Sequence, residues 1–337
     1  MIDLPPTALL HFILGINRII QCHKNINIGN SLNNRDTLSG ILFALLAAVG
    51  FSAKAILVKL AYLDQVDAIT LLALRMAFAL PFFVAVAIWL NGRHAISLKR
   101  QDWVEVILLG LLGYYLSSFL DFLGLLYITA GLERLILFLY PTMTVILSAF
   151  IYKRAIGRKV IAAMALSYAG IVLVFIHDMD LSHANADLSQ AQVLLGAGLV
   201  FASALSYASY LVGAGHAISR MGATRFTAYA SIVASVACLL QFAVTHPLSA
   251  LELPMRVYWL SIAMAIFSTV LPVFLLSYAI RRIGSSSTSL IGSAGPVATI
   301  ALAYVFLDET ISLLQIAGTI LVLAGVVTIS LNSRKSG

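Results

Sequence analysis

The chain has 337 residues, of which 61% are hydrophobic and only 10% are charged. A soluble domain carries about 25% charged residues, so this chain has too little polar surface to face water on all sides. Its net charge of +7 does not indicate a nucleic-acid partner, because the basic residues lie between apolar segments and form no single patch. Its two cysteines, Cys22 and Cys238, match neither a disulfide framework nor a zinc-binding spacing.

Residues 1–37 form an N-terminal extension that contains no predicted membrane span. The apolar run from Ala8 to Ile20 is shorter than the roughly 20 residues needed to cross a bilayer. It also lacks the preceding basic residues and the small-residue cleavage site that define a signal peptide. We therefore predict that this extension is cytosolic or lies at the membrane interface.

Ten apolar segments of membrane-spanning length follow, and they predict an all-α integral membrane protein with ten transmembrane helices. The longest link, residues 177–191, is polar and is predicted to separate two halves outside the membrane. The halves are residues 38–176 and 192–331, with a cytosolic tail at 332–337. The predicted spans are 39–59, 68–90, 104–126, 134–152, 159–176, 193–213, 226–244, 257–280, 287–307 and 312–331.

The basic residues predict the orientation of these spans. Sixteen of the 21 lysines and arginines lie in the N-terminal extension, after the even-numbered spans and in the C-terminal tail. The opposite links carry most of the acidic residues and few basic ones. Lysine and arginine in short links mark the cytoplasmic side. We therefore expect a multi-pass protein of the cell (inner) membrane with both termini in the cytoplasm.

The stretch from Ile128 to Gly170 is repeated 155 residues later, from Ile283 to Gly325. Twelve residues are identical without gaps, including the pair Pro141 and Pro296. Such self-similarity indicates two homologous units. Because each half has five spans, an odd number, the second must enter the membrane from the opposite side. This pattern predicts two inverted five-helix repeats, an architecture common among secondary transporters.

The chain resembles the EamA-type members of the drug/metabolite transporter superfamily over about residues 39–331. The resemblance rests on the doubled ten-span pattern and on four stretches: LALRMAFALP, LYPTMTVILSAF, GPVATIALAYVFLDE and LLQIAGTILVLAGVV. It implies alternating-access movement of small organic molecules, often export of amino acids or related metabolites. It also implies that spans one to four and six to nine surround a cavity, with five and ten peripheral. The chain departs from the family pattern at Lys153-Arg154, where Gly-Glu is frequent.

Three charged residues lie well inside predicted spans, Lys54, Arg75 and Asp121, whereas Lys59 ends its span and is expected to extend to the interface. A charge in hydrocarbon is costly, so each is a candidate functional residue. All three fall in the predicted outer third of different helices and can therefore meet. One interpretation is an ion pair that docks spans one to three. The other is a substrate-carboxylate site or an outer gate, in which Asp121 could also couple transport to protons.

Polar and aromatic residues supply further candidates for substrate binding or gating. Buried phenol groups need a hydrogen-bond partner, so the tyrosines near prolines stand out. Serines in membrane helices also pack as small residues, and that alternative stays open. Pro141 and Pro296 are predicted hinges, because proline kinks a helix and both halves have one at the same place. The polar and aromatic candidates are Tyr114, Ser118, Tyr140, Ser206, Tyr207, Tyr210 and Ser293.

A secondary transporter is the function that these patterns favour. Its expected partners are a small-molecule substrate and the lipid bilayer, with proton coupling and a homodimer left open. A membrane-embedded enzyme is an alternative, but no span contains HExxH, GxSxG or paired catalytic carboxylates. A channel-like permeation protein is another, although rings of like groups along a pore are missing. We therefore expect no enzymatic activity, no cofactor and no metal.

Overall fold

A computed structural model describes residues 34–93, 98–151, 153, 156–185, 189–309 and 311–333. Residues 1–33, which form most of the predicted N-terminal extension, lie outside this description. The described backbone is helical apart from short turns and links. Eight helical stretches are long and apolar enough to cross a membrane, and the shorter apolar helices Gly295–Leu307 and Leu313–Thr328 bring the number to ten. The predicted all-α fold with ten spans is confirmed.

The first half begins with two long helices, which are followed by two spans that are each built from shorter pieces. A π-helical segment, π1, interrupts the third span, and a two-residue turn divides the fourth. The helices are α1 (Asn34–Tyr62), α2 (Ala68–Arg93), α3 (Arg100–Gly110), π1 (Leu111–Leu116), α4 (Ser117–Gly124), α5 (Ala130–Leu137), α6 (Tyr140–Ile151) and α7 (Arg158–Asn185).

The second half repeats this order with two differences: one continuous helix stands where the first half has α4 and α5, and a short 3₁₀ turn at Leu248–Leu251 precedes its third span. Its π-helical segment is named π2. The helices are α8 (Gln190–Met221), α9 (Ala223–Thr245), α10 (Met255–Ala265), π2 (Ile266–Val270), α11 (Leu271–Gly292), α12 (Gly295–Leu307) and α13 (Leu313–Ser333).

The bounds of the helices repeat with the same offset as the sequence. α3 and α10, α6 and α12, and α7 and α13 begin at positions that differ by 155 residues. The segments π1 and π2 begin at Leu111 and Ile266, which are also 155 residues apart. A π-helical insertion is rare and is often found at functional sites. Its presence at the same point in both halves shows that the repeat extends to local irregularities of the backbone.

Pro141 and Pro296 do not kink continuous helices, which corrects the prediction of mid-helix prolines. The fourth span is already broken at residues 138–139, and Pro141 is the second residue of α6. In the second half the break falls at residues 293–294, and Pro296 is the second residue of α12. Proline fits the first turn of a helix, where its missing N–H group would have no partner. The two prolines therefore begin half-helices after a break.

Two predicted links are shorter than expected. The helix α7 continues to Asn185, so much of the polar link 177–191 is helical, and α8 starts at Gln190. Ser189 caps α8, with its hydroxyl accepting from the Gln192 N–H at 3.3 Å. The chain is also helical from Leu271 to Gly292, where a separate link near residues 281–286 was predicted. Polar composition alone does not end a helix whose backbone hydrogen bonds continue.

The last helices of the two halves, α7 and α13, pack closely against each other. A Cβ atom on Gly170 would lie 2.5 Å from the Gly318 carbonyl oxygen, and the reverse distance is 2.4 Å. Small residues permit such close approach of membrane helices. Large apolar side chains elsewhere are exposed, including Phe150 at 84% and Trp259 at 64%. Such a surface suits hydrocarbon rather than water.

Candidate functional site

A buried ionic cluster joins three helices of the first half. The Lys54 ammonium on α1 lies 2.5 Å from Asp121 Oδ2 on α4 and 3.1 Å from Glu133 Oε1 on α5. Asp121 is 2% exposed and Glu133 is fully buried. The sequence suggested that Lys54 and Asp121 could meet, and the structure places them in contact. Glu133 is a third member of the cluster that was not predicted, because the sequence placed it in a link outside the membrane.

Glu133 enters the cluster because its span begins earlier than predicted. The predicted span started at residue 134, whereas α5 starts at Ala130. Thr129 caps this helix, with its side chain accepting from the Leu132 N–H at 3.1 Å. Threonine is a favoured N-cap residue, so Thr129 was a usable signal for the start of the helix. A helix start predicted at Thr129 places Glu133 and Arg134 within the membrane span.

The two carboxyl groups of the cluster are neighbours, because Asp121 Oδ2 and Glu133 Oε1 both lie within 3.1 Å of Lys54 Nζ. Ionised carboxylates only accept hydrogen bonds, so a bond between them requires that one carries a proton. Among the described residues, Asp121 Oδ1 and both Glu133 oxygens have no hydrogen-bond partner. One lysine therefore faces two carboxyl groups. This arrangement can hold one proton in addition to the ion pair.

Arg75 does not join this ion pair, contrary to the interpretation in which the three predicted charges pair with one another. Its Nε donates to Thr269 Oγ1 at 2.9 Å, and its guanidinium lies 5.4 Å from the centre of the Phe122 ring. Arg75 is 7% exposed, and its Nη1 has no partner among the described residues. Because Thr269 belongs to π2, Arg75 connects the second span to the π-helical segment of the other half.

Arg134, next to Glu133 on α5, lies against the break in the ninth span. A Cβ atom on Gly295 would lie 2.8 Å from Arg134 Nη2 and 3.5 Å from Ser52 Oγ. Ser52 donates to the Gly295 carbonyl at 2.8 Å, which connects α1 to the start of α12. Arg134 Nε is buried and has no hydrogen-bond partner in the part of the chain that the structure describes. Arg134 was not among the residues predicted from the sequence.

The predicted tyrosines form a second cluster, beside π1. The hydroxyl groups of Tyr114 and Tyr210 are 3.1 Å apart. Tyr207 stacks on Tyr210 with ring centres 5.5 Å apart, and Tyr140 meets Tyr207 edge-on at 5.2 Å. The four rings come from α6, α8 and π1. The structure therefore brings together four side chains that the sequence placed on three different spans.

The predicted serines take different positions. Ser206 on α8 donates to the Leu112 carbonyl of π1 at 2.7 Å, so it satisfies an acceptor of the π-helical segment. Ser118 on α4 is half-buried and forms no side-chain hydrogen bond with the described residues. Ser293 lies in the break before α12. Of the predicted hinges, Pro296 is buried and Pro141 is half-buried.

The described residues contain no group of three or more His, Cys, Asp or Glu side chains that could hold a metal ion. Asp121 and Glu133 are two acidic groups, and their nearest cation is a lysine.

The doubled ten-span fold and the ionic cluster inside it define a membrane transporter. The chain belongs to the EamA-like transporter family, which it matches over residues 38–176 and 194–331. This match confirms the resemblance found in the sequence and places the chain among multi-pass membrane proteins.

Two relatives and one solved structure extend the comparison. The chain is 30% identical over 290 residues to the uncharacterized transporter YcbK of Bacillus subtilis, covering 84% of this chain and 90% of that protein. It is 26% identical over 260 residues to the uncharacterized transporter YyaM of the same organism, covering 77% and 83%. A crystal structure matches the fold with a TM-score of 0.58 at 20% identity, covering 88% of this chain and 98% of that one.

Proposed function

We propose that the protein is a proton-coupled secondary transporter that moves small organic metabolites, amino acids or related compounds, by alternating access. We place it in the cell inner membrane with both termini in the cytoplasm, and we propose export as the direction. The family supports transport as such. The observation that supports proton coupling is the buried cluster in which Asp121 and Glu133 share Lys54.

The proton would bind to the carboxyl pair of this cluster. With Lys54 charged, two ionised carboxylates leave one negative charge uncompensated within the cluster, and uncompensated buried charge is strongly unfavourable. Other groups also face the pair: Arg75 interacts with Asp121, Arg134 with Glu133, and Tyr62 with Asp121. The balance of these charges changes when helices move, so proton affinity can differ between conformations.

Alternating access is supported by the matched irregularities of the two halves. The breaks before α6 and α12 and the segments π1 and π2 are equivalent by the repeat. Broken helices at the interface of inverted repeats form the substrate site in several transporter folds. Relative movement of the halves would expose such a site to one side of the membrane at a time.

Inside-out membrane vesicles provide the test. Vesicles with and without the protein would be given an acidic interior and a panel of radiolabelled amino acids and related metabolites. Proton-driven export predicts saturable uptake of at least one compound, which collapses when a protonophore removes the pH gradient. Uptake that exceeds the control without saturation would indicate a channel-like protein. Equal uptake in both vesicle types for the whole panel would reject the proposed transport function.

The quaternary state also stays a prediction. A homodimer was left open by the sequence, and light scattering of the purified protein, corrected for bound detergent, measures it directly. A monomeric mass would reject the homodimer without affecting the proposed transport cycle, because the ionic cluster lies within one chain.

A further inference from the structure

Arg134 is a charged side chain inside a membrane span that forms no ion pair with the described residues. No carboxylate of the described residues lies within 4.0 Å of its guanidinium, and its buried Nε donates no hydrogen bond to them. The other membrane cations are placed differently. Lys54 has two carboxylates within 3.1 Å, and Arg75 donates to Thr269 and stacks over Phe122.

An arginine in this environment is costly to maintain. Charged side chains within membrane spans are unfavourable unless they pair or face an aqueous cavity, and they often mark substrate pathways. Arginine cannot relieve this cost by losing its proton, because its guanidinium stays charged in proteins. Its five N–H donors therefore require an acceptor. In the described structure that acceptor is missing for Nε.

The neighbourhood of Arg134 suits an anion. Its Nη2 lies beside Gly295, the first residue of α12, where the positive end of the helix dipole is found. Gly295 is twelve residues from the end of α12 at Leu307, which corresponds to about 18 Å along the helix axis. That depth is near the middle of a hydrocarbon core about 30 Å thick. Tyr140 and Tyr207 lie within electrostatic range of Arg134.

We propose that Arg134, at the start of the half-helix α12, binds the carboxylate of the transported molecule. The guanidinium supplies paired N–H donors that match a carboxylate in geometry. Gly295 has no side chain, so the substrate can approach the helix end. Tyr140 and Tyr207 belong to the tyrosine cluster, where the remainder of the substrate would be bound. The substrate class is therefore small organic molecules with a carboxylate group.

This assignment rests on the proposed transport function and separates two tasks within one site. The carboxyl pair of Asp121 and Glu133 handles the proton, and Arg134 recognises the substrate. Glu133 and Arg134 are adjacent on α5. A movement of this helix would therefore act on proton binding and substrate binding together, which is the physical requirement for coupling.

The test compares carboxylates with their neutral analogues. Proteoliposomes containing the parent protein or Arg134→Gln would be loaded with each of the twenty L-amino acids or its primary amide, and tracer exchange would be measured. The parent is expected to exchange at least one amino acid about tenfold or more better than its amide, the effect of one charge-assisted hydrogen bond. Arg134→Gln should reduce this ratio to about one, and Arg134→Lys should retain part of it.

Arg256→Gln is the matched control, because Arg256 is an exposed arginine that pairs with Asp64 at 3.3 Å, away from this site. It should keep the parent ratio. An unchanged ratio in Arg134→Gln, or a parent that prefers amides, would overturn the assignment while leaving transport established. If the parent exchanges no compound, both this inference and the proposed function are rejected.

A second variant covers the case in which Arg134→Gln does not fold. Gly295→Ala keeps the charge but places a methyl group 2.8 Å from Arg134 Nη2. It should weaken exchange of the amino acid more than exchange of the amide. Equal effects on both would contradict carboxylate binding at this position.

Discussion

At the scale of single residues, the ionic cluster shows how few charges this membrane interior contains and how closely they are placed. Lys54 is the one described cation within 4.0 Å of Asp121 and Glu133. Tyr62 donates to the Phe122 carbonyl at 2.7 Å and so ties the end of α1 to α4 beside Asp121. The cluster therefore links three spans of one half through a single lysine.

The carboxyl pair predicts a specific loss of function. Asp121→Asn and Glu133→Gln keep the shape of the side chains but remove a proton-binding group. If the pair carries the coupling proton, each variant should keep substrate exchange and lose at least tenfold in accumulation driven by a pH gradient. Radiotracer uptake in vesicles, with and without the gradient, measures both quantities.

Glu105→Gln is a suitable control, because Glu105 pairs with Arg220 at 2.7 Å away from the cluster. If Asp121 is instead part of a gate, Asp121→Asn should abolish exchange as well or produce a leak. Full pH-dependent transport in both Asp121→Asn and Glu133→Gln would show that the cluster is only structural.

Lys54 predicts a loss of stability. Lys54→Met leaves two buried carboxyl groups without their nearest cation, and breaking a buried ion pair costs about 3–5 kcal/mol. We expect a clearly lower melting temperature in detergent. Adding Asp121→Asn and Glu133→Gln should restore much of it, because no unpaired charge then remains. A single variant as stable as the parent would argue against this pairing.

At the scale of elements, the broken spans and π-helical segments are the features that distinguish this protein from a plain bundle of ten helices. Three of the four irregular segments of the backbone, π1, π2 and the start of α12, meet a polar side chain from another span. Ser206 bonds to π1, Thr269 connects π2 to Arg75, and Ser52 bonds to the first residue of α12. Freed backbone groups inside a membrane need such partners, so these contacts stabilise the breaks.

The prolines at the two breaks predict an effect on transport rather than on folding. Pro141 and Pro296 lie in the first turn of α6 and α12. Replacement by alanine there removes no hydrogen bond and introduces no steric clash. Pro141→Ala and Pro296→Ala should therefore fold at near-parent yield. Because each change lets the helix extend through the break, transport should fall several-fold in both. Parent-like transport in both variants would mean that the prolines are not hinges.

The contact between α7 and α13 predicts a purely structural effect. Gly170→Ala would place a methyl group 2.5 Å from the Gly318 carbonyl oxygen, a contact that only backbone movement can relieve. Overpacking of this kind costs about 1–3 kcal/mol. Gly198→Ala is the matched control, since no atom lies within 4 Å of its added methyl group. Thermal unfolding in the same detergent should separate the two, and equal melting temperatures would contradict the close packing.

At the scale of the whole molecule, the two halves share their helix bounds but not their charges. The repeat equivalents of Lys54, Asp121 and Glu133 are Ser209, Leu276 and Thr288. The ionic cluster therefore has no counterpart in the second half. In an inverted repeat the cluster then lies toward one face of the membrane only, so the two sides of the transport path differ in chemistry although the backbone repeats.

The inverted arrangement predicts the sides on which two residues lie. Single cysteines at Ser182 and Ser333, introduced after Cys22 and Cys238 are replaced, should react with a membrane-impermeant thiol reagent from opposite sides. Ser182→Cys should label in intact cells, and Ser333→Cys only after the membrane is opened. Labelling of both from the same side would contradict an odd number of spans between them.

The sequence by itself determined the ten-span fold and its duplication. Hydrophobic length and the 155-residue offset are properties of the chain alone, and the helix bounds follow them closely. The sequence also placed Lys54 and Asp121 at similar depth, because helix rise converts residue number into depth. The continuation of α7 and α11 beyond their predicted ends could not be predicted from the sequence, because a polar segment can remain helical when its backbone hydrogen bonds continue.

Only the tertiary structure decided which charges meet. Asp121 and Glu133 follow Lys54 along the chain by 67 and 79 residues. Their contact with Lys54 depends on how α1, α4 and α5 are rotated about their axes. Arg75 and Arg134 show the same dependence, because their neighbours Thr269 and Gly295 belong to the other half. Periodicity fixes the face on which a side chain lies, whereas packing between helices selects the partner that this face meets.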